Sequence, residues 1–335
     1  MTERYPRAGA PHGAADAVAH AARRLAEGGL VAFPTETVYG LGADASSAAA
    51  VARLYAVKGR PAAHPVIVHL GSAAHAFAWA REVPGAARQL AEAFWPGPLT
   101  MILQRARCAA DFLTGGQDAV GLRVPSHPVA QALLAAFVGL RGDAARAGIA
   151  APSANRFGRV SPTCAAHVRA DLGDDVDCVL EGGDAEVGIE STIVDLSRGA
   201  PVLLRPGHVT PEAIAEVLGV AVAAKDVAAP AHSGGLERHY APRTPTRLVP
   251  AHALDAEIAR AAAPVAVLAF SRPDVPVACW VRLPRDAVAC ARRLYGALRE
   301  LDGAGCTVIL VEAPPEGAGW AAVRDRLARA AAQAF

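Results

Sequence analysis

The chain has little charge and almost no net charge. Its 33 Lys and Arg residues offset 32 Asp and Glu residues, which leaves a formal net charge of +1 at pH 7 over 335 residues. A global electric field that would hold a long nucleic acid is therefore missing, although a local basic face is compatible with this composition. No apolar run is long enough to span a bilayer, so we expect no membrane contact.

Cysteine pairs and zinc-ligand patterns are missing as well. The six cysteines are scattered without a C-x-x-C pair, and no group of histidines has zinc-ligand spacing. We therefore expect no metal held by protein side chains. Scattered cysteines in a chain of this size are typical of a reducing cytosol. Residues 1–20 carry no continuous apolar stretch after their first charges, which predicts no signal peptide and a cytoplasmic protein.

The common nucleotide-binding and hydrolase motifs are also missing. The sequence contains no G-x-x-x-x-G-K-[ST] loop, no G-x-G-x-x-G after a strand and no G-x-S-x-G elbow. A nucleotide would have to bind outside these frameworks.

What is present is an alternation of short apolar runs and helical periodicity, which predicts an α/β fold on one substantial sheet. Strand candidates lie at 30–33, 66–70, 99–103, 120–124, 178–180, 192–196 and 202–204, and helix candidates at 14–27, 48–57, 86–94, 129–137 and 211–218. The stretch after residue 220 is aperiodic and rich in Ala, Gly and Pro, as linkers are. We predict a first domain over 14–220, a linker over 221–245 and a smaller α/β domain over 246–335.

The stretch Pro34–Gly42 directly follows the first strand candidate and combines hydroxyls, a carboxylate and glycines. Ligands of α/β proteins often bind beyond the carboxyl end of a strand, so this stretch is a candidate site. A glycine-containing turn before the next helix explains it about as well.

Lys58 and Arg60 follow the helix at 48–57, where two cations could grip neighbouring phosphate oxygens. Interaction with the helix dipole would explain one of them. His69 ends an apolar strand, and such a histidine is more often a near-core residue than a ligand. Arg123 interrupts another apolar strand, so it is either part of an internal salt bridge or the anchor of a ligand carboxylate.

Further polar residues follow or precede strand candidates. Ser153, Asn155 and Ser161 follow the apolar segment at 148–150, Ser191 precedes the strand at 192–196, and Arg205 ends the strand at 202–204. Ser153 and Asn155 could instead make a turn, and Ser161 could cap a helix, so each signal alone is weak. Together they predict a single cleft at the strand ends of one sheet.

These motifs resemble those of the YrdC-like family. The blocks PTETVYGLG, KGRP followed by PVIVHL, WPGPLT, VGLRVPSHP, APSANRFGRVSPT, GIESTIVDL and LLRPG occur in that family's order over about residues 18–218. The segment His239-Tyr240-Ala241-Pro242 and the second domain resemble the long form of the family. The resemblance implies a YrdC-like twisted mixed sheet with flanking helices and a smaller, Rossmann-like α/β C-terminal domain.

The resemblance also implies an activity. Enzymes of this kind, which are nucleotidyltransferases, combine L-threonine, bicarbonate and ATP, with Mg²⁺, into threonylcarbamoyl-AMP and pyrophosphate. A separate transferase system then moves the threonylcarbamoyl group to an adenosine of tRNA, so any direct contact with tRNA is expected to be weak. Carried over by position, threonine binding is implied for Thr37, His69, Arg123 and Ser191. ATP binding is implied for Lys58, Arg60, His64, Ala119, Ala151, Ser153, Asn155, Ser161, Arg205, His239 and Tyr240.

Lys58 and Arg60 are also the candidate catalytic groups, because they would offset charge that builds on the phosphates. The sequence departs from the family pattern at two places. His64 stands where members commonly have Asn, and Ser233-Gly234-Gly235-Leu236 replaces the usual Ser-Pro-Gly-Met of the linker. The loss of that proline predicts a less preorganised linker.

Two other functions compete with this one. A double-stranded RNA or ribosome-associated binding module would use the cations, but it has no need of Thr37, His69 and Ser191 beside Arg123. A hydrogenase-maturation carbamoyltransferase contains a related domain, but it also carries zinc-finger and acylphosphatase segments for which this chain has neither the cysteine spacing nor the upstream length.

Overall fold

The computed structural model describes residues 13–61, 63–236 and 239–332. Residues 1–12 lie outside this part, so the expected absence of a signal peptide stays a prediction. In the first domain the helices are α1 (Ala14–Ala26), α2 (Ala48–Lys58), α3 (Ala73–Phe77), α4 (Gly85–Phe94), α5 (Asp111–Thr114), α6 (Pro128–Arg141), α7 (Ala165–Leu172) and α8 (Pro211–Leu218). The strands are β1 (Val31–Phe33), β2 (Gly40–Asp44), β3 (Ile67–His69), β4 (Leu99–Gln104), β5 (Ala119–Arg123), β6 (Ile149–Ala150), β7 (Cys178–Val179), β8 (Thr192–Asp195), β9 (Val202–Arg205) and β10 (Ala223–Ala224).

These strands form a single mixed sheet in the order β10-β9-β8-β4-β5-β3-β6-β2-β1-β7. Parallel pairs such as β3 with β5 alternate with antiparallel pairs such as β4 with β5 and β8 with β9. The mixed sheet with flanking helices confirms the predicted fold class. Because directions alternate, the beginning of β8 and the ends of β5 and β9 meet at one edge.

The two faces of the sheet are covered differently, and the difference places the site. Side chains of successive strand residues point to opposite faces. Val68 and Leu122 belong to the large core that packs against α2 and α4, whereas Ile67, Ile102 and Ile193 form a separate small cluster on the other face. On that second face, α1 and α6 cover β1 and β7 but leave the middle of the sheet to other groups. His69 and Arg123 share the face of Ile67.

The second domain is built on a parallel sheet in the order β11-β14-β12-β13. Its elements are β11 (Thr246–Val249), α9 (Leu254–Arg260), β12 (Val265–Ala269), β13 (Cys279–Arg282), α10 (Ala287–Asp302), β14 (Val308–Glu312) and α11 (Ala321–Ala331). The parallel sheet, with α9, α10 and α11 between or after its strands, confirms the predicted small α/β domain. Domain boundaries at 220 and 245 stay predictions.

The two domains share a hydrophobic core. Val38, Val160 and Ile189 of the first domain pack with Tyr240 and with buried residues of α10 and α11. The approach is closest at Gly188, whose φ is +79° and where a Cβ atom would lie 2.4 Å from the Cα of Arg292. Glycine is required there because no side chain fits between the loop and α10.

Several elements were missed by the sequence reading. The Pro34–Gly42 stretch is not one loop, since Gly40 begins β2, which pairs antiparallel with β1. Because the two glycines in β2 give the segment a low strand propensity, its sequence does not predict a strand. Helices α3 and α9 and strands β10 and β13 are short and were also not predicted. In the described part of the chain no helix is both long and apolar enough to cross a membrane.

Candidate active site

A narrow cavity with an accessible volume of about 50 Å³ lies on the second face of the first domain's sheet, under the linker. Its wall contains four cations, Lys58, Arg60, Arg123 and Arg205, and, among the described residues, one carboxylate, Glu190. All five are at most 7% exposed. Buried charges of one sign are costly without partners, so a cavity with this wall suits anionic groups such as carboxylates and phosphates.

Arg123 is both paired and available. Its Nη2 donates to Oε1 of Glu36 over 2.8 Å, and Oε2 of Glu36 accepts from the backbone N–H of Ser126 over 3.1 Å. Within the described part of the chain, Nε of Arg123 is buried without a hydrogen-bond partner. The salt bridge and the carboxylate anchor, the two alternatives that the sequence left open, are therefore compatible.

His69 lies beside Arg123 at paired positions of two parallel strands. Burial, with the Arg123 guanidinium beside it, lowers the pKa of His69 to about 3, so its ring is neutral at physiological pH. Its Nδ1 also has no partner among the described residues. A neutral imidazole can exchange one hydrogen bond with a hydroxyl. Thr37, fully buried in the same wall, has its Oγ1 2.9 Å from Oγ1 of Thr35.

Ser191 connects this region to the next cation. Its Oγ lies 2.8 Å from Oγ1 of Thr100 and accepts from Nη2 of Arg205 over 3.1 Å. Nε of Arg205 donates to the Ser191 carbonyl over 3.0 Å. The beginning of β8 and the end of β9 therefore hold each other through these two residues.

Lys58 and Arg60 flank Gly59, which ends α2 in the left-handed conformation. Nζ of Lys58 donates to the carbonyls of Ser153 and Asn155, each over 2.5 Å. Burial and the neighbouring Arg60 lower the pKa of Lys58 well below its usual value. Nη2 of Arg60 donates to the Pro65 carbonyl over 2.7 Å, and its Nε has no described partner.

The linker closes the cavity through Ser233. Nη1 of Arg205 donates to the Ser233 carbonyl over 3.0 Å, and Nη2 of Arg60 donates to the Ser233 hydroxyl over 3.3 Å. This hydroxyl donates in turn to the Pro65 carbonyl over 3.1 Å. The next residue, Gly234, has a φ of +77°, which proline cannot adopt. A proline at this position would therefore require a different backbone path.

His239 and Tyr240 line the same cavity from the end of the linker. Their rings are 4.1 Å apart, and the ring of Phe157 lies 5.9 Å from that of His239. Burial lowers the pKa of His239 to about 3, so this ring is neutral too. Tyr240 is the non-glycine residue with a positive φ, +60°, among those described, and such strain often occurs at functional positions.

Most of the predicted site residues line the cavity, and three do not. Those that line it are Thr37, Lys58, Arg60, His69, Arg123, Ala151, Ser153, Asn155, Ser191, Arg205, His239 and Tyr240. His64, Ala119 and Ser161 lie behind or beside its wall. The His64 ring is 5.5 Å from that of Phe157, Ala119 borders a neighbouring small cavity, and the Ser161 hydroxyl donates to Glu190. Direct ligand contact by these three stays a prediction.

The wall also contains residues that the sequence did not single out as ligand-binding. Ile67 lines the cavity from within a strand, as does Gly40 of the predicted Pro34–Gly42 stretch, so the site extends across the sheet and not only along strand ends. Glu190 is in its wall and is bound by Tyr295 and Arg326 of the second domain. An arginine in the apolar periodicity of the last helix is the signal that could have indicated this pairing.

Unpartnered buried polar atoms are concentrated at this cavity. Among the described residues they include Nε of Arg60, Oδ1 of Asn155, Nδ1 of His239 and the Tyr240 hydroxyl, besides the atoms of Arg123 and His69 named above. Buried polar groups are nearly always hydrogen-bonded. Their clustering on one wall indicates a polar ligand with donors and acceptors in several places.

Among the described residues, the cavity wall offers a Mg²⁺ ion one carboxylate, that of Glu190. This ion prefers oxygen ligands and usually keeps several waters while binding one or two carboxylates and substrate phosphates. Glu190 already accepts from Ser161, Tyr295 and Arg326, and the described residues contain no group of three or more potential metal ligands. Binding of Mg²⁺ through nucleotide phosphates and water, and not through protein side chains, stays a prediction.

Two family models match the chain. One, a Sua5/YciO/YrdC model described as telomere recombination, matches residues 23–207. The other, described as the C-terminal domain of threonylcarbamoyl-AMP synthase, matches residues 209–332. The chain belongs to the threonylcarbamoyl-AMP synthase family. It is therefore an enzyme of the nucleotidyltransferase type, with the YrdC-like first domain that the motifs indicated.

Relatives of similar length share this assignment. The threonylcarbamoyl-AMP synthase of Pyrococcus abyssi is 38% identical over 324 residues, which cover 92% of each chain. That of Bacillus subtilis is 37% identical over 333 residues, covering 94% of this chain and 92% of the relative. A crystal structure of P. abyssi Sua5 complexed with L-threonine is similar with a TM-score of 0.85, at 37% identity and 94% coverage of each chain.

Proposed function

We propose that this enzyme makes threonylcarbamoyl-AMP and pyrophosphate from L-threonine, bicarbonate and ATP, for the modification of tRNA in the cytoplasm. The observation that carries the proposal is the juxtaposition of two kinds of group in one cavity. Arg123, His69 and Thr37 form a compact polar set, while Lys58, Arg60 and Arg205 lie along the rest of the wall. The L-threonine complex of the P. abyssi relative supports the first part.

In the proposed arrangement, Arg123 binds the α-carboxylate of threonine through its unpartnered Nε. Neutral His69 exchanges a hydrogen bond with the side-chain hydroxyl. The neutral amine then attacks CO₂ formed from bicarbonate, and loss of a proton gives a carbamate. The wall fixes this carbamate beside the nucleotide, so that positioning reduces the entropic part of the barrier.

In the second step a carbamate oxygen attacks the α-phosphorus of ATP and the bond to pyrophosphate breaks. The carbamate is already anionic, so this step needs no general base. Arg60 and Arg205 face the developing negative charge, and Lys58 holds the Ser153–Asn155 loop. Bound ATP phosphates would favour the charged form of the Lys58 ammonium, opposing the effect of burial on its pKa. When bound with ATP, Mg²⁺ would neutralise part of the phosphate charge.

We also propose that the linker is a lid. Ser233 occupies hydrogen-bond donors of Arg60 and Arg205, so ATP phosphates would have to replace it at those two side chains. Closure of His239 and Tyr240 would then exclude water from the labile adenylate. In a His239→Ala/Tyr240→Ala variant we expect lower product yield with threonine binding retained. Unchanged yield would show that the segment is only a connection between domains.

The rival RNA-binding function fits the geometry less well. An RNA duplex is bound by cations on an accessible face, whereas Lys58, Arg60 and Arg205 are nearly completely buried in a covered cavity. The direct test is pyrophosphate release from ATP with and without threonine. The proposal requires release that depends on both threonine and bicarbonate, whereas equal release without threonine would indicate a nucleotide hydrolase instead.

A further inference from the structure

The carboxylate of Glu190 in the first domain accepts three hydrogen bonds from side chains of other segments. Oε1 accepts from the hydroxyl of Ser161 over 2.5 Å, and Oε2 accepts from the hydroxyl of Tyr295 over 2.9 Å and from Nε of Arg326 over 2.8 Å. Tyr295 is in α10 and Arg326 in α11, so two of these three donors belong to the second domain. The carboxylate itself is part of the cavity wall.

Arg326 makes further contacts that reach the linker and the loop after β9. Its Nη2 donates to the Glu190 carbonyl over 3.2 Å and its Nη1 to the Pro206 carbonyl over 3.0 Å. Its guanidinium lies 5.3 Å from the centre of the Tyr240 ring, a cation–π distance. Arg326 is 0% exposed, so it has no role in solvent contacts. One side chain thus touches the residue before Ser191, the residue after Arg205, and the linker aromatic.

The same helix holds the linker by its backbone. The carbonyl of Arg329 accepts from the N–H of His239 over 3.3 Å, and Nη1 of Arg329 donates to the Leu236 carbonyl. On the same side of α11, Asp325 binds both Arg326 and Arg329 and fixes their orientation.

We propose that Arg326 is a positioning residue of the active site, which from the second domain orients Glu190 and Tyr240 and so couples the cavity wall to the linker. The second domain is then a structural component of the site and not only an attachment for a partner. The proposal extends the proposed function, because it states what the second domain contributes to that reaction.

The charge of Arg326 acts on the ionisation of Glu190. Burial alone would raise the pKa of Glu190, but the Arg326 and Arg205 guanidiniums outweigh it and hold that pKa at about 2. Tyr295, Tyr240 and His239 are the other titratable groups near this carboxylate. Without Arg326, burial would be opposed only by Arg205 and by hydrogen bonds such as that from Ser161, so the pKa of Glu190 would rise, and activity would be lost as pH falls through the new value. Wild-type activity would not depend on Glu190 in that range.

The test uses full-length Arg326→Met and Arg326→Lys, with Arg324→Met as the matched control. Arg324 is on the same helix, but its side chain is 45% exposed and its ion pair with Glu316 is 3.8 Å long. Initial rates of threonylcarbamoyl-AMP formation are measured from pH 5 to 9, together with melting temperatures. For Arg326→Met we expect the rate to fall by about 30-fold or more, the usual effect of breaking one side of a buried charge pair. We also expect its pH–rate profile to show a new loss of activity on the acid side. Arg326→Lys should restore part of both, and Arg324→Met should match the wild type.

A Glu190→Gln/Arg326→Met double variant should lack this loss of activity on the acid side, because the group that titrates is gone. If Arg326→Met does not fold, Tyr295→Phe is the substitute, since it removes one hydroxyl donor. We expect a several-fold lower rate, measured at a temperature where the variant is fully folded, because the loss of this buried hydrogen bond also lowers the melting temperature. Wild-type rates and pH profiles in the folded Arg326 or Tyr295 variants would overturn the inference. Wild-type enzyme that makes no threonylcarbamoyl-AMP would instead reject the proposed function.

Discussion

Arg123 and Glu36 form a buried ion pair, with Nη2 and Oε1 2.8 Å apart, that leaves Nε of the arginine unpartnered within the described chain. The pair fixes Arg123 in the buried wall of the cavity. Glu36 is itself held by the backbone of Ser126, so the guanidinium is oriented before a ligand arrives. Because the donor is already oriented, little conformational entropy is lost when it binds a ligand carboxylate.

The first prediction concerns this pair. Arg123→Ala should weaken threonine binding by about 30-fold or more, because breaking one side of a buried charge interaction costs roughly 2–5 kcal/mol. ATP binding should change little, since Lys58, Arg60 and Arg205 are intact. Calorimetric titration of both ligands measures this, with Arg105→Ala, a more exposed arginine, as a control. Wild-type threonine affinity in Arg123→Ala would remove Arg123 from the threonine site.

The second prediction concerns side-chain specificity. Serine keeps the hydroxyl of threonine and lacks the methyl group. Loss of the methyl contact should cost about 1–3 kcal/mol of transition-state binding, which lowers kcat/KM roughly 10- to 200-fold. Allothreonine exchanges methyl and hydroxyl and should be worse if neutral His69 binds the hydroxyl. His69→Phe should reduce the difference between threonine and allothreonine. Equal kcat/KM for all three amino acids would contradict a shaped pocket at His69 and Thr37.

The third prediction follows from the linker turn. Gly234 has a φ of +77°, and a Cβ atom there would lie 2.2 Å from the Tyr240 hydroxyl. Gly234→Pro restores the residue that the family usually has, yet it should destabilise this closed path by about 1–3 kcal/mol, the usual cost of backbone strain. The product yield should fall accordingly, by several-fold to about 100-fold. Gly219→Ala, at an exposed helix end, controls for a general glycine effect. Full activity of Gly234→Pro would mean that the closed path is not needed.

The fourth prediction concerns stability and pH. Burial lowers the pKa of His69 and His239 to about 3 and that of His232 to about 4. The unfolded chain therefore binds more protons below about pH 6.5, and stability is lost as pH falls from there toward the folded pKa values. By pH 5 each histidine could cost up to about 2 kcal/mol. Melting curves from pH 7.5 to 5 should show this loss, and His232→Asn should reduce its slope relative to the exposed His252→Asn. Equal slopes would contradict the buried, neutral state of His232.

Much of the fold and of the cavity wall could be predicted because the signals are local. The helix at Ala48–Lys58 has a serine cap and a glycine stop, so Lys58 and Arg60 were placed at its end. His69 and Arg123 interrupt apolar strands, which is informative because such positions are costly for charge. The resemblance to a known family then gave these residues their implied roles.

The parts that were missed depend on long-range packing. Strand β2 contains two glycines and is formed by pairing with β1, not by propensity. Glu190 contacts Arg326 across 136 positions of sequence; the place of Arg326 on the buried side of its helix indicates an internal partner but does not identify which carboxylate it is. His64, Ala119 and Ser161 were implied only by position in motifs, and the fold places them outside the wall.

The most direct measurement is the incorporation of label from ¹³C-bicarbonate. Wild-type enzyme would be incubated with ATP, L-threonine and the labelled bicarbonate, and the nucleotide products analysed by mass spectrometry. We predict threonylcarbamoyl-AMP that carries the label, in amounts equal to the pyrophosphate released, and no such product when threonine is omitted. Pyrophosphate or AMP that forms without a labelled threonine adduct would contradict the proposed reaction.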